Sequence, residues 1–194
     1  MMRLLLLWMF WIPMAVQASW LVNPKNSVIQ FDSTKVLKTG KKITEPNTLS
    51  SVKGRIDQQG RFNIDIDLDS LETHIPIRND RVKKYFFHTE RQRYAKIRGE
   101  LSPKNLKLLN SFDGEVTTTQ AFTLNINGVQ LPVSGEFIFN HTDKNTSIQS
   151  SKPIVLSIQD LHAESGLYKL IRLAGLDAIS FEVPVKVNLD IQSL

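Results

Sequence analysis

Residues 62–69 alternate strictly between apolar and polar side chains, and this period of two constrains the fold more than any other feature of the chain. Such alternation is typical of a β-strand with one buried face and one face in water. The apolar face consists of Phe62, Ile64, Ile66 and Leu68. The opposite face carries the carboxylates of Asp65, Asp67 and Asp69. We therefore expect one wall of a barrel, with an apolar inside and a wetted, acidic outside.

The N-terminal residues have the pattern of a secretory signal peptide. Arg3 supplies a positive charge, and residues 4–14 form an apolar stretch that is too short to span a bilayer comfortably. Small or modest residues follow, and we expect cleavage between Ala18 and Ser19. Residues 1–18 would then be the signal peptide and residues 19–194 a single exported domain. The alternative is an uncleaved membrane anchor, against which Pro13 argues because it interrupts the apolar stretch.

Composition excludes several kinds of site. The chain has no cysteine, which excludes disulfides, thiolate metal sites and cysteine nucleophiles. A net charge of +5 is compatible with nucleic acid, anionic lipid or phosphate-bearing ligands, although a dispersed surplus can serve solubility alone. The phenylalanines fall at alternating strand positions beside aliphatic residues. This placement favours burial over base stacking, and we expect no nucleic-acid partner.

Strand patterns recur along the whole exported region. We predict strands at residues 28–33, 49–57, 62–69, 94–101, 115–126, 129–140, 153–161 and 179–191. Hairpins are expected at Gly60 and at Asn127-Gly128, the strongest short hairpin signal. Eight hairpin-connected strands predict an all-β fold, an eight-stranded antiparallel barrel that can close around one ligand-sized space.

One or two short helices are expected beside the barrel. Residues 80–87 could form one with Asn79 as its cap, and residues 103–110 could form a helical turn. The clearest helical pattern covers residues 166–174, where Ser165 could cap the start and Gly175 could end the helix.

Catalytic and metal-binding patterns are weak. There is no Gly-x-Ser-x-Gly elbow and no glycine-rich phosphate loop. His141 with Asp143, and His162 with Glu164, could each place two ligands on one side of an extended chain, but a metal site needs three or four. We therefore predict no catalytic residues, no metal and no cofactor.

The inward faces of the predicted strands could line an apolar cavity. The predicted lining consists of Phe31, Ile64, Ile66, Leu68, Leu124, Ile126, Phe137, Phe139, Phe181, Val183 and Val185. A solid core would have the same pattern. Lys35 and several other basic residues are expected in long connections near the rim. The predicted positive mouth consists of Lys38, Lys41, Lys42, Arg78 and Arg81. An ordinary solvated basic face is the alternative.

Short motifs in a characteristic order cover nearly all of the exported region. They include Ser27-x-Ile29-x-Phe31-x-Ser33-x-Lys35, Gly54-Arg55-Ile56, Ser70-Leu71-Glu72-Thr73, Ile77-Arg78-Asn79-Asp80-Arg81, Leu124-x-Ile126-Asn127-Gly128-Val129 and Val183-Pro184-Val185. In order and spacing they resemble the YceI-like family of bacterial exported proteins. The resemblance implies a lipocalin-like barrel in the periplasm whose elongated interior holds a polyisoprenoid or an isoprenoid quinone. It carries over no catalytic residues. Asn127 stands where the family often has histidine, a change that favours the turn. Residues 157–166 also depart from the family pattern, so ligand choice could differ.

Three functions remain open at this stage. The leading one is a periplasmic carrier that shelters a long isoprenoid lipid or quinone and is not an enzyme. The second is a non-catalytic interaction or stress-related protein with a filled barrel and an active basic surface. The third is an enzyme acting on an isoprenoid or quinone, with His162 or Glu72 as proton carrier. A transient contact with a membrane surface and a dimeric state are also left open.

Overall fold

The computed structural model describes residues 18–111, 114–142 and 146–194. The predicted signal peptide lies outside these residues except for Ala18, which begins the first strand. In the described part of the chain, no helix is both long enough and apolar enough to cross a bilayer.

The described residues form thirteen strands, which build a closed antiparallel barrel of eight wall strands. The strands are β1 (Ala18–Val22), β2 (Val28–Val36), β3 (Lys42–Leu49), β4 (Val52–Asp57), β5 (Arg61–Asp67), β6 (Leu71–Glu72), β7 (Tyr94–Glu100), β8 (Gly114–Ile126), β9 (Val129–His141), β10 (Thr146–Ser150), β11 (Ile154–Ser157), β12 (Ala178–Ile179) and β13 (Glu182–Ser193). Five wall strands are interrupted and consist of two segments each: β1–β2, β3–β4, β5–β6, β10–β11 and β12–β13. The barrel closes through β13, which pairs with β1 and β2 on one side and with β10 and β11 on the other. The predicted fold class is confirmed.

Both predicted hairpins are present. Gly60 has a φ of 85° in the β4–β5 turn, and Asn127 and Gly128 have φ values of 52° and 82° between β8 and β9. The sequence patterns missed β1, β3, β6 and β10. In β3 the inward positions include Glu45 and Asn47, so this strand shows no apolar alternation. As a consequence, the long basic connection expected after the first strand is wrong: Lys35 lies within β2 and the hairpin to β3 is short.

Three α-helices accompany the barrel, rather than one or two: α1 (Pro76–Val82), α2 (Pro103–Ser111) and α3 (Glu164–Ala174). Two predicted caps are wrong. Asn79 lies inside α1, where its side-chain oxygen accepts hydrogen bonds from the backbone and hydroxyl of Thr73. Ser165 lies inside α3, which starts one residue earlier than the predicted cap. Gly175 does end α3, with a φ of 63°.

A π-helical turn (Lys83–Phe87) continues α1 and packs against α3. The two backbones touch at Gly166, where an added Cβ would lie 2.3 Å from the carbonyl oxygen of Tyr85. Phe87 packs edge-on against Phe31 of β2, and the side chain of Asn127 donates to the carbonyl of Phe86 at 3.0 Å. We call α1, the π-helical turn and α3 the cap. These contacts fix the cap between β2 and the β8–β9 hairpin.

Candidate functional site: an apolar chamber beside the helical cap

Part of the barrel interior is closely packed. Its side chains form one cluster in which each is buried against the others. This packed core includes Trp20, Val22, Ile56, Phe62, Ile64, Phe139, Ile148, Leu189 and Ile191. These residues lie on β1, β4, β5, β9 and β10 and on the C-terminal half of β13, which pairs with β1 and β10.

The remaining interior is lined by apolar side chains that are only partly buried. The change occurs within β13, where Val187, Leu189 and Ile191 are buried but Val183 and Val185 are not, although all five share one face. These inward-pointing side chains pack against the core but keep part of their surface accessible, and we infer unfilled space beside them. We call this space the chamber. Its partly buried lining includes Phe31, Phe122, Leu131, Val133, Ile154, Leu156, Phe181, Val183 and Val185.

The chamber reaches the surface through a gap in the wall between β9 and β11. β10 pairs with β9 as far as Ser150 opposite Phe137, and β11 then pairs with β13 alone among the described strands. Pro132 and Pro153 border this gap and cannot donate the backbone hydrogen bonds that would close it. The gap forms a groove of about 530 Å³.

The groove joins the apolar interior to a polar rim. Its inner lining includes Leu131, Val133 and Leu156, and its outer lining includes Glu136 and Lys152. Ile154 partly bridges the gap, because a Cβ added to Gly135 would lie 2.9 Å from its Cδ1 atom. Side-chain packing of Ile154 therefore replaces the backbone ladder along this part of the gap, while Ser151 and Lys152 bond to Glu136 at its edge.

A charged cluster lies on the inner face of β2 and β3, beyond Phe31. Lys35 shares that face with Phe31, and its Nζ atom lies 2.9 Å from both carboxylate oxygens of Glu45. The guanidinium of Arg78 reaches the same carboxylate from α1 and also donates to the carbonyl of Thr73. The pKa of Glu45 is lowered, mainly because Lys35 donates to its carboxylate and further because of Arg78.

This cluster retains unused hydrogen-bonding capacity. The Nε atom of Arg78 is buried and has no hydrogen-bond partner among the described residues. Two cations share one carboxylate, so the cluster carries a net charge of +1. Asn47, which is buried beside it, donates to the hydroxyl of Ser33 and the carbonyl of Phe31. The arrangement can donate to an acceptor oxygen at this edge of the apolar lining.

Comparison with known proteins identifies the family. Residues 20–191 match the model of the YceI-like domain. The chain belongs to the YceI-like family. No match was found among curated proteins.

Two solved structures share the fold of this YceI-like domain. A polyisoprenoid-binding domain from Saccharophagus degradans, implicated in plant cell wall breakdown, superposes with a TM-score of 0.83 at 23% identity and covers 92% of this chain and 100% of its own. BcnA from Burkholderia cenocepacia superposes with a TM-score of 0.66 at 14% identity and covers 89% of this chain and 99% of its own.

The predicted cavity residues divide between the two parts of the interior. Phe31, Phe181, Val183 and Val185 line the chamber. The other seven are buried in the close-packed interior: Ile64, Ile66, Leu68, Leu124, Ile126, Phe137 and Phe139. As ligand contacts, all eleven remain predictions. The prediction missed five chamber residues: Leu131, Val133, Phe122, Ile154 and Leu156. Leu131 and Val133 continue the alternation after Asn127-Gly128.

The five predicted mouth residues lie on the cap and on the β2–β3 hairpin. Arg78 belongs to the charged cluster, and Arg81 donates to the carbonyl of Leu173 at 3.0 Å. Lys38 lies 4.0 Å from Asp177, while Lys41 and Lys42 are exposed. Their contact with a ligand head group also stays a prediction.

The alternation predicted that the carboxylates of β5 all face water, but one of them does not. Asp65 is partly exposed and pairs with Arg98 at 2.6 Å. Asp67 is buried, because it caps the 3₁₀ turn at Leu68–Ser70 and accepts hydrogen bonds from Arg93. Arg93 holds the pKa of Asp67 below its ordinary value. The expected wetted face is therefore wrong at Asp67.

The residues considered for catalysis or metal binding are dispersed. No three His, Asp or Glu side chains converge on one point within the described ranges, and Asp143 lies outside them. Glu72 is exposed and accepts hydrogen bonds from the backbone of His74 and the side chain of Asn79. His162 is exposed in a turn.

Proposed function

We propose that this YceI-like domain is an exported, periplasmic binding protein that holds the apolar chain of a long isoprenoid lipid in its chamber. The ligand would be a polyprenyl lipid or an isoprenoid quinone, and the protein would carry it rather than transform it. The observation that supports this most directly is the change of burial along β13. One face of one strand passes from packed core to an accessible apolar lining.

The energy of binding would come from removal of the prenyl chain from water. Each buried CH₂ group contributes about 0.8 kcal/mol, so several isoprene units supply a strong driving force without any specific polar contact. The groove between β9 and β11 gives the chain a route into the chamber. Its volume of about 530 Å³ lies within the usual range of ligand pockets.

The head group would lie at the charged cluster. Arg78 and Lys35 are the donors there, and Glu45 offsets part of their charge. A carbonyl or phosphate oxygen could accept from the unpartnered Nε atom of Arg78. The likeness to a polyisoprenoid-binding domain also supports a ligand of this class.

Native mass spectrometry after purification from the periplasm of its own cell tests this function. We expect a co-purified lipid that organic extraction releases, with ultraviolet absorption of the extract separating a quinone from a polyprenyl lipid. Val185→Trp should fill the chamber and abolish retention. Lys186→Trp, its outward neighbour on β13, should retain the lipid. Absence of lipid from the unmodified protein, or equal retention by both variants, would contradict the proposal and favour an interaction protein with a filled barrel.

A further inference from the structure

The outer surface of the cap exposes large apolar side chains. Ile75 is 43% exposed, Ile77 56% and Leu173 36%. Ile77 and Arg81 lie one turn apart on α1, and Arg81 donates to the carbonyl of Leu173 near the end of α3. The exposed residues of α1 and α3 therefore belong to one surface.

The positive charge of the chain is concentrated in the same region. Residues 36–42, 76–87 and 164–174 contain nine lysines and arginines and two acidic residues, a net charge of +7, whereas the whole chain carries +5. The β2–β3 hairpin adjoins the cap because Asp177, just beyond α3, donates its backbone N–H to the carbonyl of Val36 at 2.9 Å. The rest of the protein is therefore slightly acidic.

We propose that this surface docks the protein on a membrane that contains anionic phospholipid. Lysines and arginines near a bilayer are attracted to its negative surface potential, and exposed apolar side chains between them can enter the region of the acyl chains. A purely electrostatic partner would leave Ile75, Ile77 and Leu173 in water. The inference deepens the proposed function and rests on it in one respect, since docking would bring the chamber beside the cap close to the source or destination of its lipid.

Flotation with vesicles tests the docking surface. Lipid-stripped protein should bind vesicles of phosphatidylethanolamine and phosphatidylglycerol, bind phosphatidylcholine vesicles weakly, and dissociate as salt is raised. Ile77→Asp should lower the partition coefficient roughly tenfold, because an apolar side chain of the docking face is lost. Leu21→Asp is the matched control, because Leu21 is 40% exposed on β1, outside the cap and the groove, and should leave binding unchanged.

Two double variants test how much the positive charge contributes to docking. Lys41→Glu combined with Lys42→Glu should lower binding to anionic vesicles by roughly thirtyfold or more. Lys25→Glu combined with Lys104→Glu makes the same change outside the cap and the β2–β3 hairpin, and should have little effect. Equal losses in the two pairs would mean diffuse attraction to a basic protein and would overturn the proposal.

The absence of cysteine allows a direct measurement of orientation. Ile77→Cys and Leu21→Cys, each labelled with a polarity-sensitive fluorophore, should differ when vesicles are added. The label at position 77 should shift to shorter wavelength and the label at position 21 should not. A shift at position 21 alone, or at neither position, would overturn the docking surface.

Failure of this inference is distinguishable from failure of the proposed function. Protein that retains lipid in native mass spectrometry but does not bind anionic vesicles would contradict docking alone. Protein that binds vesicles through the cap but retains no lipid would support docking and contradict the carrier function.

Discussion

The packed core and the chamber are built from the same wall strands and the same kinds of residue, yet one is filled and the other is not. Val185 and Val187 show the difference most clearly, since they are two residues apart on one face of β13. Val187 is in the region where β2 and β10 flank β13, whereas Val185 pairs with Ile154 of β11, beside the gap between β9 and β11. Apolar residues in a barrel can thus serve stability or binding according to their neighbours.

The difference has an energetic consequence. Burial stabilises a fold in proportion to the apolar area removed from water, and partly buried residues of the chamber contribute less than those of the packed core. The apolar area that the chamber lining leaves accessible can still be buried by a ligand. Bound lipid should therefore stabilise the protein, because it binds the folded state and not the unfolded chain.

The largest expected effect comes from removing matched aromatic side chains. Phe139→Ala in the packed core should lower the free energy of unfolding by about 3–5 kcal/mol. Phe122→Ala in the chamber should lower it by roughly 1–2 kcal/mol, because its side chain is only partly buried. Urea unfolding of lipid-free protein measures both values. Equal losses would show that the chamber is as well filled as the core.

The cap provides the next test. Gly→Ala within a helix normally stabilises it by about 1 kcal/mol, but Gly166→Ala should destabilise the protein by roughly 1–3 kcal/mol, because the new methyl group meets the backbone of Tyr85. Ser165→Ala, at the exposed neighbouring position of α3, should be nearly neutral. Thermal unfolding gives both values, and binding of a hydrophobic dye should rise for the Gly166 variant. A stabilising Gly166→Ala would contradict the close contact between α3 and the π-helical turn.

Substitutions by larger side chains test the packed core against the chamber from the opposite direction. Val187→Phe should cost about 1–3 kcal/mol, since Val187 is buried in the packed core and a larger ring must displace its neighbours. Val185→Phe should cost less than about 1 kcal/mol and should reduce lipid retention, because the ring occupies the chamber. Denaturant unfolding and native mass spectrometry of the same two variants give the two readouts. A larger stability loss at position 185 than at position 187 would reverse the assignment of filled and unfilled regions.

The smallest expected effects come from two carboxylates with lowered pKa values, Asp67 and Glu45. Asp67→Asn should destabilise the protein by about 1 kcal/mol at neutral pH, since partly exposed Arg93 loses its buried partner. The pKa of Asp67 is lower in the folded state, so its contribution is complete above the ordinary pKa of 3.8 and is lost as the pH falls through the folded value. The gap between wild type and variant should therefore shrink in acid, as unfolding measured across pH would show.

Glu45→Gln is the counterpart on the chamber side. It leaves Lys35 and Arg78 without their shared carboxylate, and should raise retention of lipids with an anionic head group. Asp67→Asn should leave retention unchanged. Competition between a prenyl phosphate and a prenyl alcohol, followed by native mass spectrometry, measures this preference. An unchanged preference in Glu45→Gln would remove the cluster from head-group recognition.

Most of the wall could be predicted from the sequence because its signals are local. Period-two alternation in β5, β8, β9 and β13 reports burial of one face, and Asn127-Gly128 reports a turn that needs positive φ at both residues. β3 was missed because its inward Glu45 and Asn47 are satisfied by Lys35, Arg78 and Ser33, partners that are distant in sequence or in another element. Asp67 was misplaced because Arg93, which allows its burial, approaches from 26 residues away.

The strand pattern, the barrel class, the family motifs and the inward direction of the candidate cavity residues follow from local patterns along the chain. Which inward residues are packed and which border the chamber depends on the tertiary structure, because lining and filling side chains share the same alternation and differ in what stands opposite them. The tertiary structure also brings Lys35, Glu45 and Arg78 into one cluster and leaves the gap between β9 and β11. Periodicity is a property of a single strand, whereas a cavity is a property of the space between strands.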